Sequence, residues 1–251
     1  MEKILSYIPQ LLPYLSVTFE YVGLSLLFGT ILALILLAMK LCRFRVVRAV
    51  AYGYTTVMRC TPSVILLFIV FYGLPSLLQA WLGVNIQNAD AVLFVVATFT
   101  LFLGGSVSEV IRAAYLSIDH GQCEAALCVG LSKRQAILRI VAPQAFYLML
   151  PNLCNTLQFL LKEGSLGYII GLVDITGKAF LLNSNTMSAY VLQIYLALSL
   201  IYWPLSIAIE QGFKALERRF SYEAAPVRAA DEPAVETEAI SARFAKSGEA
   251  A

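Results

Sequence analysis

Long apolar runs separated by short polar stretches make up most of the chain, and run length decides which element each one predicts. Residues 14–39 carry a single charge, Glu20, and residues 49–78, 91–115, 144–162 and 187–213 hold one or two charges each. A helix needs about 20 such residues to cross a bilayer. The pattern therefore predicts an all-α integral membrane protein with five transmembrane helices, one per run, within a single unit over residues 14–220. Residues 1–13 mix apolar and polar side chains with Pro9 and Pro13 and read as an interfacial lead-in. Residues 221–251 are rich in Ala, Glu and Pro with few large apolar groups, the composition of a disordered tail. Between the last two runs, Gly171, Asp174, Gly177 and Lys178 interrupt residues 167–185. The sequence leaves open whether that stretch is a re-entrant hairpin, a broken helix or an interfacial segment, and a sixth crossing requires a helix within it.

The longest polar interruption, residues 121–143, has its own local specification. Glu124, Ala125, Ala126, Leu127 and Val129 suit a short helix, and Gly130 offers the left-handed position at which such a helix closes. Ser132 followed three residues later by Gln135 is a capping box, so a second helix is expected from Lys133. It carries Ile137, Ile140 and Val141 on one face, until Pro143 removes a backbone donor and kinks or ends it.

Charge orients the pattern. Lys40, Arg43, Arg45 and Arg48 follow the first run, Lys133, Arg134 and Arg139 lie in the polar interruption, and Lys214, Arg218 and Arg219 follow the fifth run. Because Lys and Arg concentrate in short loops on the cytoplasmic side, the expected topology is amino terminus outside and carboxyl terminus inside. The residue 1–13 lead-in then lies on the outer side, which the resemblance given below makes the periplasmic one. Composition agrees with the class: 59% hydrophobic residues, 14% charged residues and a mean hydropathy of +0.76. A net charge of +2 is too small to imply a nucleic-acid partner. Five cysteines show no CxxC spacing and His120 is the single histidine, so neither a metal centre nor an acid–base enzyme is indicated. No stretch matches G-x-x-x-x-G-K-[ST], the loop that cradles nucleotide phosphates.

Glu124-Ala125-Ala126, Gly130, Ile140 and Pro143 fall at the positions of the EAA loop, the signature E-A-A, three residues, G, nine residues, I-x-L-P of bacterial ABC importer permeases. Ala142 stands where that family usually has Leu. Three further stretches resemble its polar amino acid, or histidine/glutamine, subgroup. Arg59-Cys60-Thr61-Pro62 with Tyr72-Gly73-Leu74-Pro75 is similar to R-G-T-P and Y-x-G-L-P. Ser108-Glu109-Val110-Ile111-Arg112 leading to Gly121-Gln122-Cys123-Glu124-Ala125-Ala126 is similar to A-E-x-x-R-G then G-Q-x-E-A-A. Lys162-Glu163-Gly164-Ser165-Leu166 is similar to K-D-T-S-L.

The resemblance implies a type I importer fold in the bacterial inner membrane, with the loop between spans three and four acting as a coupling helix. It implies a non-catalytic permease subunit that moves a polar amino acid or close derivative. The energy would come from a separate ATPase dimer, which uses ATP and Mg, while this chain holds no cofactor or metal. A second permease chain, identical or homologous, and a periplasmic substrate-binding protein complete the expected assembly. The residues expected to dock the ATPase are Glu124, Ala125, Ala126, Gly130, Arg134 and Pro143. Ionisable residues inside apolar runs face polar cavities more often than lipid, so Glu20, Glu109, Lys162 and Glu163, with the neighbouring Ser165, are the candidates for the translocation path. The alternatives are interfacial charges at the end of span three for Glu109 with Arg112, snorkelling to the outer interface for Lys162 and Glu163, and a solvated rim for Glu20. A permease for another small solute, such as phosphonate or methionine, or a secondary transporter, is the alternative.

Overall fold

The structure is a computed structural model and describes residues 2–220; the expected tail over 221–251 lies outside the described residues. Among the described residues every element is helical. Five helical stretches are long and apolar enough to cross a membrane: Lys3–Lys40, Ser63–Leu82, Ala91–Leu116, Lys133–Ile170 and Val191–Phe220.

The first stretch opens with α1, Glu2–Leu11, which runs through a 3-10 turn at Leu12–Tyr14 into α2, Leu15–Lys40. The lead-in is thus helical. Its apolar side packs on α10 and α11, helices Ile175–Asn185 and Val191–Phe220, and Leu11 is fully buried there.

The second span departs from the helix expected over residues 49–78. α3, Arg45–Cys60, stops at Thr61-Pro62, and a second helical path then runs through α4, Ser63–Phe68, a π turn at Ile69–Gly73 and α5, Leu74–Leu82. Proline drives the break. Its ring pushes the preceding residue out of helical geometry, and Thr61 sits at φ −89° and ψ 126°. By length and composition alone, the part of this path long and apolar enough to cross a membrane is Ser63–Leu82.

α6, Ala91–Leu116, packs against α2 to form the centre of the bundle. Small residues permit the approach. A Cβ on Gly29 of α2 would stand 2.6 Å from Leu103 Cβ, and one on Gly104 of α6 would stand 2.6 Å from the Leu32 side chain. Each helix therefore inserts a leucine over a glycine of the other, the small-residue packing that brings helices together where lipid gives no hydrophobic drive. Tyr21, Val95, Phe99, Leu103, Leu160 and Leu161 fill the space around this seam.

After α6 come α7, His120–Cys128, α8, Lys133–Ala136, a π turn at Ile137–Val141 and α9, Ala142–Glu163. The helix expected to kink or end at Pro143 does not end there: a π turn at Ile137–Val141 interrupts the regular backbone directly before Pro143, and the helical path continues into α9. Past α9, a 3-10 turn at Gly164–Ile170 closes on Gly171 at φ +91°, and Asp174 caps α10 through Gly177 N–H at 2.8 Å. α10 has 11 residues, well short of a crossing. Residues 167–185 are therefore a broken, non-spanning segment, and no sixth crossing exists among the described residues.

The glycine seam predicts that Gly29→Ala overpacks the α2–α6 contact and destabilises the protein by about 1–3 kcal/mol. Thermal unfolding in detergent should show a lowered midpoint, and Leu103→Ala in the same chain should not restore it, because alanine keeps the Cβ that stands 2.6 Å away. An unchanged midpoint for the single variant would mean the seam is looser than the structure shows.

Candidate functional site

Two features stand apart from the apolar bundle: the hairpin after α6, and a face on which α3, α4, α6 and α9 carry polar side chains.

The hairpin is built by local chemistry. Asp119 caps α7 by accepting from Gly121 N–H at 2.8 Å. At the other end Gly130, φ +87°, donates to Leu127 O and Leu131 donates to Ala126 O, the paired bonds of a glycine-terminated helix. Ser132 and Gln135 form the reciprocal box that starts α8, with Ser132 N–H to Gln135 Oε1 at 2.9 Å. Glu124, Ala125, Gly130, Arg134 and Pro143 lie on the exposed surface. Ala126 does not: it is 2% exposed and packs inside the hairpin, as does Ala136. Its small size serves the closure of α7 on its own neighbours. Val129, 78% exposed, with Leu127 and Leu138 adds an apolar tip that sequence reasoning had not singled out. Beneath the hairpin, Ala114, Ile118, Val141 and Ala145, with Tyr115, Cys123, Leu148 and Met149 against them, join it to the ends of α6 and α9.

Near this same end of the bundle, here called the loop end, Lys40 of α2 reaches Glu109 Oε1 at 2.6 Å and Ser108 Oγ at 2.8 Å. Arg112 takes the other carboxylate oxygen, Oε2, at 2.8 Å. The Lys40 side chain is completely buried and the Glu109 side chain 16% exposed. Glu109 is therefore committed to two cations, and its structural part is to bind α2 to α6. The group also borders a cavity of about 380 Å³ lined by Tyr52, Thr55, Thr56, Arg59, Cys60, Glu109 and Arg112.

A second cavity, about 300 Å³, lies between α6 and α9. Phe102, Ser106 and Val110 line it from one side and Asn152, Asn155, Thr156 and Phe159 from the other, with the Phe102 and Phe159 rings stacked at 5.2 Å. Asn152, Thr156, Phe159 and Glu163 follow one another at helical spacing along one face of α9. At the top of that row the Glu163 carboxylate accepts a hydrogen bond from Ser63, the first residue of α4 beyond the proline break.

Of the five path candidates, the structure thus engages Glu163 with Ser63 and Glu109 with Lys40 and Arg112. Lys162 is exposed beside Glu163, and Ser165 Oγ turns back onto the Lys162 carbonyl. Glu20 is exposed on α2 and joins no ion pair among the described residues. Sequence reasoning missed Lys40, Arg59, Ser63, Ser106, Asn152, Asn155 and Thr156. For the α9 residues the signal was present, because Asn152, Thr156 and Glu163 recur at helical spacing within an apolar run.

A family model described as "Binding-protein-dependent transport system inner membrane component" matches residues 25–222. The L-cystine transport system permease protein TcyL of Bacillus subtilis is 38% identical over 219 residues, covering 87% of this chain and 90% of that protein. The arginine transport system permease protein ArtQ of the same organism is 35% identical over 212 residues, covering 84% and 93%. Among solved structures, the crystal structure of an amino acid ABC transporter with histidines superposes with a TM-score of 0.74 at 27% identity, covering 86% of this chain and 96% of that one.

Breaking the buried ion pair from one side should be expensive. Glu109→Leu leaves the Lys40 ammonium with Ser108 alone and should destabilise by about 3–5 kcal/mol, whereas Lys40→Met combined with Glu109→Leu should restore most of it. Unfolding midpoints of the two variants in detergent decide it, and equal midpoints would remove the structural part assigned to the pair.

Proposed function

Since the chain belongs to the family of binding-protein-dependent transport system inner membrane components, we propose that it is the permease subunit of an ATP-binding-cassette importer for a polar amino acid or close derivative. The observation that carries the reading is the exposed, glycine-closed hairpin fixed by an apolar cluster to the two helices that bear the polar face. Its relatives support the solute class, because cystine and arginine, named in their descriptions, share the α-amino-acid head group and little else.

In this reading the loop end faces the cytoplasm, as the Lys and Arg distribution favours, and the protein sits in the bacterial inner membrane. The chain itself hydrolyses nothing. Two ATPase subunits, using ATP and Mg, engage Glu124, Ala125, Gly130, Arg134 and the Leu127–Val129 tip. A second permease chain closes the path opposite the polar face, and a periplasmic binding protein delivers solute to the far end. Movement of the ATPases then shifts the hairpin, and the cluster of Ala114, Ile118, Val141 and Ala145 passes the displacement to α6 and α9 together. A carrier working without a motor would not need such an exposed hairpin.

Gly130→Asp should abolish ATP-driven uptake by the reconstituted complex while the chain still inserts. At φ +87° a side chain meets a strain of about 1–2 kcal/mol, and the new carboxylate stands in the proposed contact. Normal uptake by this variant would remove the docking assignment. Glu163→Gln should weaken transport affinity for a solute bearing an ammonium group, measured in proteoliposomes. Unchanged affinity would take Glu163 out of the path.

A further inference from the structure

Arg59 is a charge without an explanation in the fold. Tyr54, five residues earlier on α3, donates to the Leu101 carbonyl at 2.8 Å, and a Cβ on Gly105 would meet Met58 Cβ at 3.3 Å. The last turns of α3 therefore lie level with the middle of α6. A cation at that depth persists when it faces a polar cavity. α3 has three faces that settle where Arg59 points. Ala51 and Thr55 are buried against the bundle, and Val46, Val50 and Val57 form an exposed apolar stripe suited to lipid. Tyr52, Thr56 and Arg59 make a third row, and these line the 380 Å³ cavity.

The cavity has a charge surplus. Its one carboxylate, Glu109, has each oxygen held by a cation, Lys40 on one and Arg112 on the other. Arg59 has no acidic partner among the described residues. An anion entering the cavity would find a planar guanidinium that binds carboxylates through paired hydrogen bonds. Ser63, four residues on and past the proline break, belongs to the Glu163 site. An anion-accepting position and an ammonium-accepting position thus follow each other along one face.

We propose that Arg59 receives the α-carboxylate of the amino acid as it passes through the loop-end half of the path. This rests on the importer reading above. The same chemistry fits an anionic lipid headgroup, and the test separates the two sources.

The complete transporter in proteoliposomes first shows which of radiolabelled L-cystine, L-arginine and L-glutamine is accumulated. That amino acid and its α-amide then compete for binding to the permease–ATPase complex, without the periplasmic protein, in nanodiscs of phosphatidylcholine alone. The wild-type complex should prefer the amino acid over the amide by about tenfold or more. Arg59→Gln should lose that preference while still co-purifying with the ATPase, and Arg59→Lys should keep part of it. A full preference in Arg59→Gln overturns the proposal, as does failure of the wild-type complex to bind the amino acid. Phosphatidylglycerol that co-purifies only when Arg59 is present, with the amino-acid preference untouched in Arg59→Gln, assigns the guanidinium to lipid and overturns it too. If the wild-type transporter accumulates none of the three, the amino-acid reading falls and takes this proposal with it; normal uptake and preference in Arg59→Gln removes this proposal alone.

Discussion

A lysine ammonium withdrawn from solvent governs the loop end of the bundle. Lys40 sits at the carboxyl end of α2, where in most membrane helices a basic side chain would reach outward to water; here its side chain has no exposed surface and turns inward to Ser108 and Glu109 of α6. A buried charge is tolerable only with its partner in place. The pairing therefore fixes the register of α2 against α6 at one end, and the reciprocal Gly29–Leu103 and Gly104–Leu32 contacts fix it through the middle. The two helices behave as one block. Arg112, taking the second oxygen of Glu109, leaves that carboxylate's charge already matched by two cations of the fold.

Against this block, α9 and the broken α3–α4 path are the elements with irregular backbone. α9 enters through a π turn just above the hairpin, and α4 leaves a proline break and then meets a second π turn. Such widened turns are where a helix changes direction without losing its hydrogen bonds wholesale. The polar side chains Asn152, Thr156 and Glu163 lie beyond the first, and Ser63 lies directly after the break. The polar face is thus assembled from the irregular helices and lined by the rigid block. A hairpin anchored to the ends of α6 and α9 touches both classes at once.

How much of this was readable in the sequence follows from the range of the forces involved. The hairpin was legible nearly in full, because Gly130, Ser132 and Gln135 act on backbone groups three or four residues away. The number of crossings was legible from run length alone. Thr61-Pro62 was visible, yet its effect was misjudged, since an apolar average over residues 49–78 conceals the polar row on α3. The Lys40–Glu109 pair joins residues 69 apart in sequence, and only the packing of α2 on α6 brings them together. Ala126 was assigned outward from its motif, but which side of a short helix faces inward depends on the neighbour it folds against. Residues 167–185 stayed undecided because Gly171 and Asp174 each end or begin a helix, and composition alone does not say how long the piece between them runs.

Charge is unevenly placed along the polar face. Glu163, next to Lys162 in the chain, lies toward the far end, while Arg59 and Arg112 line the loop-end cavity with Glu109 as its one carboxylate. Where walls are apolar, the interaction of such groups with a passing charge is several times stronger than in water. If Glu163 and Arg59 contact the solute as proposed, a solute carrying only a positive charge would be held at the Glu163 end and repelled at the Arg59 cavity, and one carrying only a negative charge would meet the reverse. On that proposal a zwitterionic head group would have a favourable contact at both ends. Such a face would read the presence of two opposite poles close together more than net charge.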